Sequence, residues 1–203
     1  VDPLSPEALV RWCQRTLPDD TRAFEYLVAL YKGRVFAAAL RMMGDAQEAE
    51  DQAQEAFLKI FRGVAALEDP EALPGWITRV TVNTCLDALA RQRRRPRTVP
   101  IEPLEREVGA APQYEDTRTP SPETAALRQE ERACIESALA RLEPASRAAL
   151  ILRDIDDRPY QEVATLLALG LSAAKMRIHR ARLAFQRMLA GVCPDLARSN
   201  VAP

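Results

Sequence analysis

Apolar residues recur every three or four positions over most of the chain, the spacing that gathers them on one face of a helix. Between Thr21 and Met43 the series runs Phe24, Leu27, Val28, Leu30, Tyr31, Val35, Ala38, Ala39, Met42. Asp20 or Thr21 is placed to cap its start and Gly44 to stop it. A second helix is predicted after Asp45, with an inner stripe of Ala49, Ala53, Ala56, Phe57, Ile60, Phe61 and Val64. Its outer face carries Glu48, Asp51, Gln52, Glu55, Lys59 and Arg62. A third opens at Asp69–Pro70 or at Pro74, where proline suits a first turn. It continues through Trp76, Ile77, Val80, Val82, Cys85, Leu86 and Leu89 into an arginine run. A shorter pattern, Leu9, Val10, Trp12, Cys13 and Leu17, precedes all three within Val1–Asp20, and nothing in it indicates a role.

The pattern then breaks. Residues 96–122 hold six prolines, and interior prolines forbid a continuous helix, so this stretch reads as an extended linker. From Val99 to Glu131 eight acids face three arginines, which makes the tether acidic; a merely solvated spacer fits the same composition. Four shorter helical segments follow, over Pro122–Arg141, Pro144–Asp154, Pro159–Leu167 and Leu171–Leu189. The last two are joined by Ala168-Leu169-Gly170, and the second of them is basic, which is the helix-turn-helix pattern. The predicted fold is all-α: two helical domains, Val1–Arg95 and Glu123–Pro203, joined by a proline-rich acidic linker.

Composition supports this and removes several chemistries. Ala, Leu, Glu and Arg, strong helix formers, dominate, and the 7 glycines are scattered singly, so no phosphate-cradling loop assembles. His179 is the single histidine, which leaves no histidine-based metal cluster. Cys13, Cys85, Cys134 and Cys193 lie far apart, without zinc spacing or a disulfide framework, and each reads as a small apolar filler in a reducing cytoplasm. No metal, cofactor or catalytic group is expected, since nothing forms a nucleophile–base pair. No apolar run is long enough to span a bilayer, and Val1–Asp20 lacks a signal-peptide pattern.

The formal net charge is only −1, but the charge is unevenly placed. Leu171–Arg187 carries Lys175, Arg177, Arg180, Arg182 and Arg187 with His179 and no acid. DNA phosphates reward such a face, and Lys175, Met176, His179 and Arg180 lie near the helix start, where base edges are reached. A solvated basic face is the plainer alternative. A second cationic run, Arg91, Arg93, Arg94, Arg95 and Arg97, follows a helix that presents Thr78, Arg79, Asn83 and Asp87. Arginines there suit phosphates, and the polar side chains suit splayed bases. Trp76 at its start reads as core before it reads as a base platform. The third patch is acidic, Asp45, Glu48, Glu50, Asp51 and Glu55, with Gln54 and Leu58 adjoining. Such a surface is suited to capping and solubility, or to docking on a basic protein.

These segments carry a resemblance. Glu50–Phe61 resembles the polymerase-binding segment of region two in bacterial sigma factors. Trp76–Leu89, followed by arginines, resembles the helix that melts and reads the minus-ten element. Leu142–Arg147, Tyr160–Ala164 and Lys175–Arg182 together resemble region four. Two such regions on a short tether are the layout of the extracytoplasmic-function sigma factors. Within it, Gly170 stands where a polar cap is usual, Ala173 and Ala174 replace Thr and Val, and Met176 replaces a small polar residue. The resemblance implies core RNA polymerase and promoter DNA as partners, with an anti-sigma factor as a further candidate. It implies that Asp51, Gln54, Glu55 and Leu58 dock on polymerase. Trp76, Arg79, Asn83, Asp87, Arg91 and Arg94 would handle the minus-ten element, and Ser172, Lys175, Met176, Arg177, His179 and Arg180 the minus-thirty-five element. A conventional helix-turn-helix regulator, which has no need of the acidic helix, and an enzyme with an appended DNA-binding domain are the rival readings.

Overall fold

A computed structural model describes residues 5–94 and 122–199. The linker expected over 96–122 falls outside the described residues except for Pro122, which opens a helix. Among the described residues all regular structure is helical.

The first block is built from α1 (Pro6–Thr16), α2 (Arg22–Met43), α3 (Ala46–Val64) and α4 (Leu73–Arg94). Gly44 ends α2 in the left-handed conformation, φ 76°, and its N–H bonds to Leu40 O at 2.8 Å. Asp45 then starts α3 at once, its side chain accepting from Glu48 N at 2.9 Å. So short a link leaves α2 and α3 little choice but to pack together. Leu27, Tyr31 and Val35 of α2 meet Ala53, Ala56 and Ile60 of α3 and Ile77, Val82 and Cys85 of α4 in one buried cluster. Thr81 and Thr84 are buried in α4 without cost in unpaired groups, because their hydroxyls donate to Ile77 O and Val80 O. The 3-10 turn Pro70–Ala72 leads into α4, its start capped by Asp69.

The N-terminal helix, silent in the sequence, has a clear packing job. Ser5 caps α1, Pro6 fills its first turn, and Leu9, Val10 and Cys13 are fully buried. Trp12 and Tyr26 set their rings 6.4 Å apart at the edge of this contact. Burial of an aliphatic side chain contributes roughly 1.5–3 kcal/mol, so α1 is a substantial part of the core.

The second block comprises α5 (Pro122–Ala140), α6 (Pro144–Leu150), α7 (Tyr160–Leu166), α8 (Leu171–Val192) and α9 (Pro194–Ser199). The segment expected as one helix over Pro144–Asp154 is not uniform. It is α-helical to Leu150 and then widens into a π-helical turn, Ile151–Ile155, closed by Asp156 N on Ile151 O. The last long helix runs on to Val192, beyond the expected Leu189, and α9 follows it. In the turn before α8 the left-handed residue is Ala168, φ 52°, whereas Gly170 is extended. Gly170 is the N-cap of α8, the place where the resemblance has a polar cap.

The two blocks share buried surface. Ala148, Ala149, Ile151, Leu152, Val163, Leu166 and Ile178 belong to the same cluster as the core of the first block. A separate small cluster, Leu139, Leu142, Leu150 and Ala181 with Phe185 and Met188 against it, holds α5 to α8. Two arginines cross the joint. Arg147, almost fully buried, donates to Met42 O and Ala140 O, and Arg41 pairs with Asp156 at 2.9 Å. Cys134 and Cys193 form a disulfide, with Cα atoms 6.1 Å apart, which corrects the reading of these two as apolar fillers. Helix packing brings them together across 59 residues of sequence, a distance at which spacing carries no signal.

Candidate functional site

Three outward faces bear the residues singled out in the sequence. On α3, Asp51 and Gln54 are exposed, Glu55 is half-buried, and Leu58 is an exposed apolar side chain at 50%. Their spacing of three and four residues places them on one face, opposite the buried Ala49, Ala53, Ala56 and Ile60. Not every acid of the patch is free for other work. Asp45 caps the helix, and Glu48 accepts from Gln92 of α4 at 3.2 Å. What stays outward is Glu50, Asp51, Gln54 and Leu58, a negative rim on an apolar spot.

On α4, Arg79, Asn83, Asp87 and Arg91 follow one another at every fourth position, all exposed, with Arg94 beyond them. The opposite side of the helix is fixed by Ile77, Thr81, Thr84, Cys85 and Ala88, all buried, so this stripe cannot turn inward. Asp87 lies 3.8 Å from the Lys59 ammonium, and Arg91 Nε reaches Asp87 O. Trp76 is half-buried against Gly63, and a Cβ on that glycine would come within 2.9 Å of the indole. The ring thus anchors the start of α4 in the packing between α3 and α4. Burial pushes the Cys85 thiol up to about 12, so this cysteine is inert in the core below the stripe.

On α8, Ser172, Lys175, Met176, His179 and Arg180 are exposed, while Ala174, Ile178 and Ala181 seat the helix. Lys175 stands 6.0 Å over the Tyr160 ring, with Arg153 at 4.9 Å. Arg177 is half-buried. It contributes to the state of Glu143, the α6 cap. Partial burial pulls Glu143 up, but the N–H groups of Ala145 and Ser146, the Ser146 hydroxyl and the Arg177 charge outweigh it, and the net shift is downward. Arg182, one of the cations that make this helix basic, is engaged elsewhere. Asp154 of the π-helical turn accepts from it at 2.5 and 2.9 Å and holds its proton more firmly than usual. Asp154 thus serves the assembly of the second block and Arg147 its joint to the first, and neither had a role assigned from sequence. Among the described residues no cluster of His, Cys, Asp and Glu is arranged to hold a metal.

Sigma-70 region 2 matches residues 27–95, which contain the α3 and α4 faces, and Sigma-70 region 4 matches residues 132–185, which contain the α8 face. The RNA polymerase sigma-H factor of Pseudomonas aeruginosa is 32% identical over 87% of this chain and 91% of its own length. The chain belongs to the extracytoplasmic-function sigma factors. The ECF RNA polymerase sigma factor SigE of Mycolicibacterium smegmatis is 33% identical over 87% of this sigma factor and 65% of that protein. The ECF sigma-E factor of Escherichia coli is 29% identical over 83% and 87%. The fold is shared with CnrH bound to the cytosolic domain of CnrY (TM-score 0.58, 23% identity, 93% of this chain and 99% of that one). It is shared too with the sigma factor RpoE bound to the anti-sigma factor NepR from Bartonella quintana (TM-score 0.56, 20% identity, 82% and 96%). As a sigma factor the protein acts with RNA polymerase in promoter-specific initiation of transcription. No helix among the described residues is long and apolar enough to cross a membrane.

Proposed function

We propose that the three faces divide the work of initiation. The face of Asp51, Gln54, Glu55 and Leu58 docks on a basic, partly apolar surface of core polymerase, where complementary charge sets encounter and register. The α4 stripe, with Arg79, Asn83, Asp87, Arg91 and Arg94 on a helix anchored by Trp76, holds the opened strand at the minus-ten element. The α8 face, with Ser172, Lys175, Met176, Arg177, His179 and Arg180, lies in the major groove at the minus-thirty-five element. Residues 1–95 and 123–203 are the two functional units and 96–122 the spacer between them. The chain does no catalysis of its own and works in the cytoplasm. An anti-sigma factor is a fitting regulator, since the two solved structures named above, which share the fold, are complexes and the partner in one is named an anti-sigma factor.

The observation that carries this reading is the opposed charge of the faces. Acids predominate on the α3 face, with Glu50 and Asp51 exposed, and exposed cations predominate on α4 (Arg79, Arg91 and Arg94 against Asp87) and on α8 (Lys175 and Arg180), each face held outward by a buried stripe on its own helix. Run-off transcription with purified core polymerase on a randomised promoter library tests it. Enrichment of templates sharing two separated elements is the expected result. Transcripts that need no added sigma factor, or enriched templates with a single element, would overturn it.

A further inference from the structure

The disulfide is the feature the promoter-reading scheme leaves unused. Cys134 sits on α5 one turn before Ala138 and Leu139, which pack toward α8. Cys193 is the residue at which α8 ends, and Pro194 opens α9 next to it. The covalent loop between them encloses α6, the π-helical turn, α7 and α8, the whole helix-turn-helix unit. Among the described residues, a cluster with four buried members, Leu139, Leu142, Leu150 and Ala181, joins this bond in holding α5 to α8. A staple there matters more than it would across the main core, because a small cluster contributes little by itself.

The four cysteines fall into two kinds. Cys13 and Cys85 are fully buried and their thiols are pushed up by burial, so small reagents neither reach nor activate them. Cys134 and Cys193 are only half-buried, within reach of a small molecule. In a reducing compartment such a bond is reversible and rarely a permanent brace.

We propose that Cys134 and Cys193 are a thiol–disulfide exchange site for a low-molecular-weight disulfide of the glutathione class, and that its redox state sets how firmly α8 is held. The chemistry balances without a further reagent. The thiolate of one cysteine attacks a sulfur of the small disulfide, forms a mixed disulfide and expels one small thiolate. The thiolate of the second cysteine then attacks the protein sulfur of that mixed disulfide and expels the other. Two protein thiols lose two electrons and two protons, and one small disulfide becomes two small thiols. Oxidised, α5 is tied to the end of α8. Reduced, the pair separates and the unit that reads DNA loosens at its C-terminal end.

The test uses the full chain, incubated with oxidised glutathione or with dithiothreitol, then alkylated and digested for mass spectrometry. After oxidised glutathione, the peptides of Cys134 and Cys193 should be recovered as one cross-linked species, while Cys13 and Cys85 alkylate only on unfolding. Reduction should lower the melting temperature by about 10 °C, as expected for a loop of this length in a small helical unit. In Cys134→Ser and in the Cys134→Ala, Cys193→Ala double variant the two incubations should melt together. Free alkylation of both cysteines after oxidised glutathione, or equal melting of the cross-linked and reduced wild type, would overturn the proposal. The link to promoters rests on the reading of α8 given above, and transcription from a promoter recovered from the library should fall on reduction. Absence of transcription in both redox states, with the melting difference intact, would count against that reading of α8 and for the redox site.

Discussion

Arg182 and Asp154 form a two-pronged ion pair at 2.5 and 2.9 Å, while Arg180, two residues earlier on the same helix, points to solvent with no ion pair among the described residues. The two arginines should therefore fail differently. Arg182→Ala should lower stability by up to about 1 kcal/mol, the upper end for a half-exposed pair, and leave the salt dependence of promoter binding nearly unchanged. Arg180→Ala should leave the urea midpoint alone. It should cost about 1–3 kcal/mol at one base position, or else weaken all sequences alike and reduce the salt slope by about one. Equal effects of the two substitutions in both assays would contradict this division.

The joint between the blocks depends on Arg147. Its guanidinium donates to Met42 O and Ala140 O, and burial holds its pKa below the usual arginine value, with Arg93 adding to the effect. Arg147→Met keeps much of the volume and strands two carbonyls. A loss of about 1–3 kcal/mol in urea unfolding is expected, read from the midpoint. A midpoint within error of the wild type would mean that the carbonyls find other donors.

Glu143 gives a pH signature. Its folded pKa is lowered, so the stability it contributes is full above the ordinary carboxylate range and is lost as the pH falls through the lowered value. Glu143→Ala should cost about 1 kcal/mol at neutral pH through loss of the α6 cap. The gap between variant and wild type should then close on acidification. Urea midpoints measured across the acid range check this, and a gap that stays constant would show that the carboxylate charge is irrelevant.

Ala168 holds φ 52° in the turn before α8, a conformation that costs an alanine roughly 1–2 kcal/mol. Ala168→Gly should raise the melting temperature modestly, since the relief exceeds the added flexibility of the unfolded chain. A lower melting temperature would show that the methyl group packs in a way that offsets the strain.

Asn83 is the base-reading candidate on α4, because its amide both donates and accepts, whereas ionised Asp87 only accepts. Asn83→Ala should leave core binding intact and slow open-complex formation on duplex promoter, with rescue on a template mismatched across the minus-ten element. Permanganate reactivity of unpaired thymines reports the opening. Equal defects on both templates would remove Asn83 from melting.

Much of this was legible in the chain. The stripes Leu27–Tyr31–Val35 and Ala49–Ala53–Ala56–Ile60 are local periodicity, and local periodicity is what a helix converts into a buried face. Gly44 and Asp45 announce a stop and a start by chemistry that acts within a turn. The features that escaped are those settled by distant packing. Arg147 and Met42 are 105 residues apart, and Cys134 and Cys193 are 59 apart, so no spacing rule joins either pair. In the turn before α8, Gly170 takes the cap position where the resemblance places it, while the left-handed φ of Ala168 had no signal in the sequence, because alanine carries no preference for that conformation.

The buried joint has a consequence measured along DNA. The elements at minus ten and minus thirty-five lie roughly 25 base pairs apart, on the order of 85 Å of helix axis. Helices α4 and α7 touch in the structure, closely enough that Gly75 faces the Glu162 carboxylate at 3.7 Å from where a Cβ would stand. One molecule cannot hold that contact and span such a length of duplex at the same time. If α4 and α8 engage the two elements as proposed, promoter binding parts this contact and opens the shared cluster to which Ile151, Leu152 and Val163 belong. Under that reading, a substitution that weakened the joint should strengthen polymerase binding without adding a single contact.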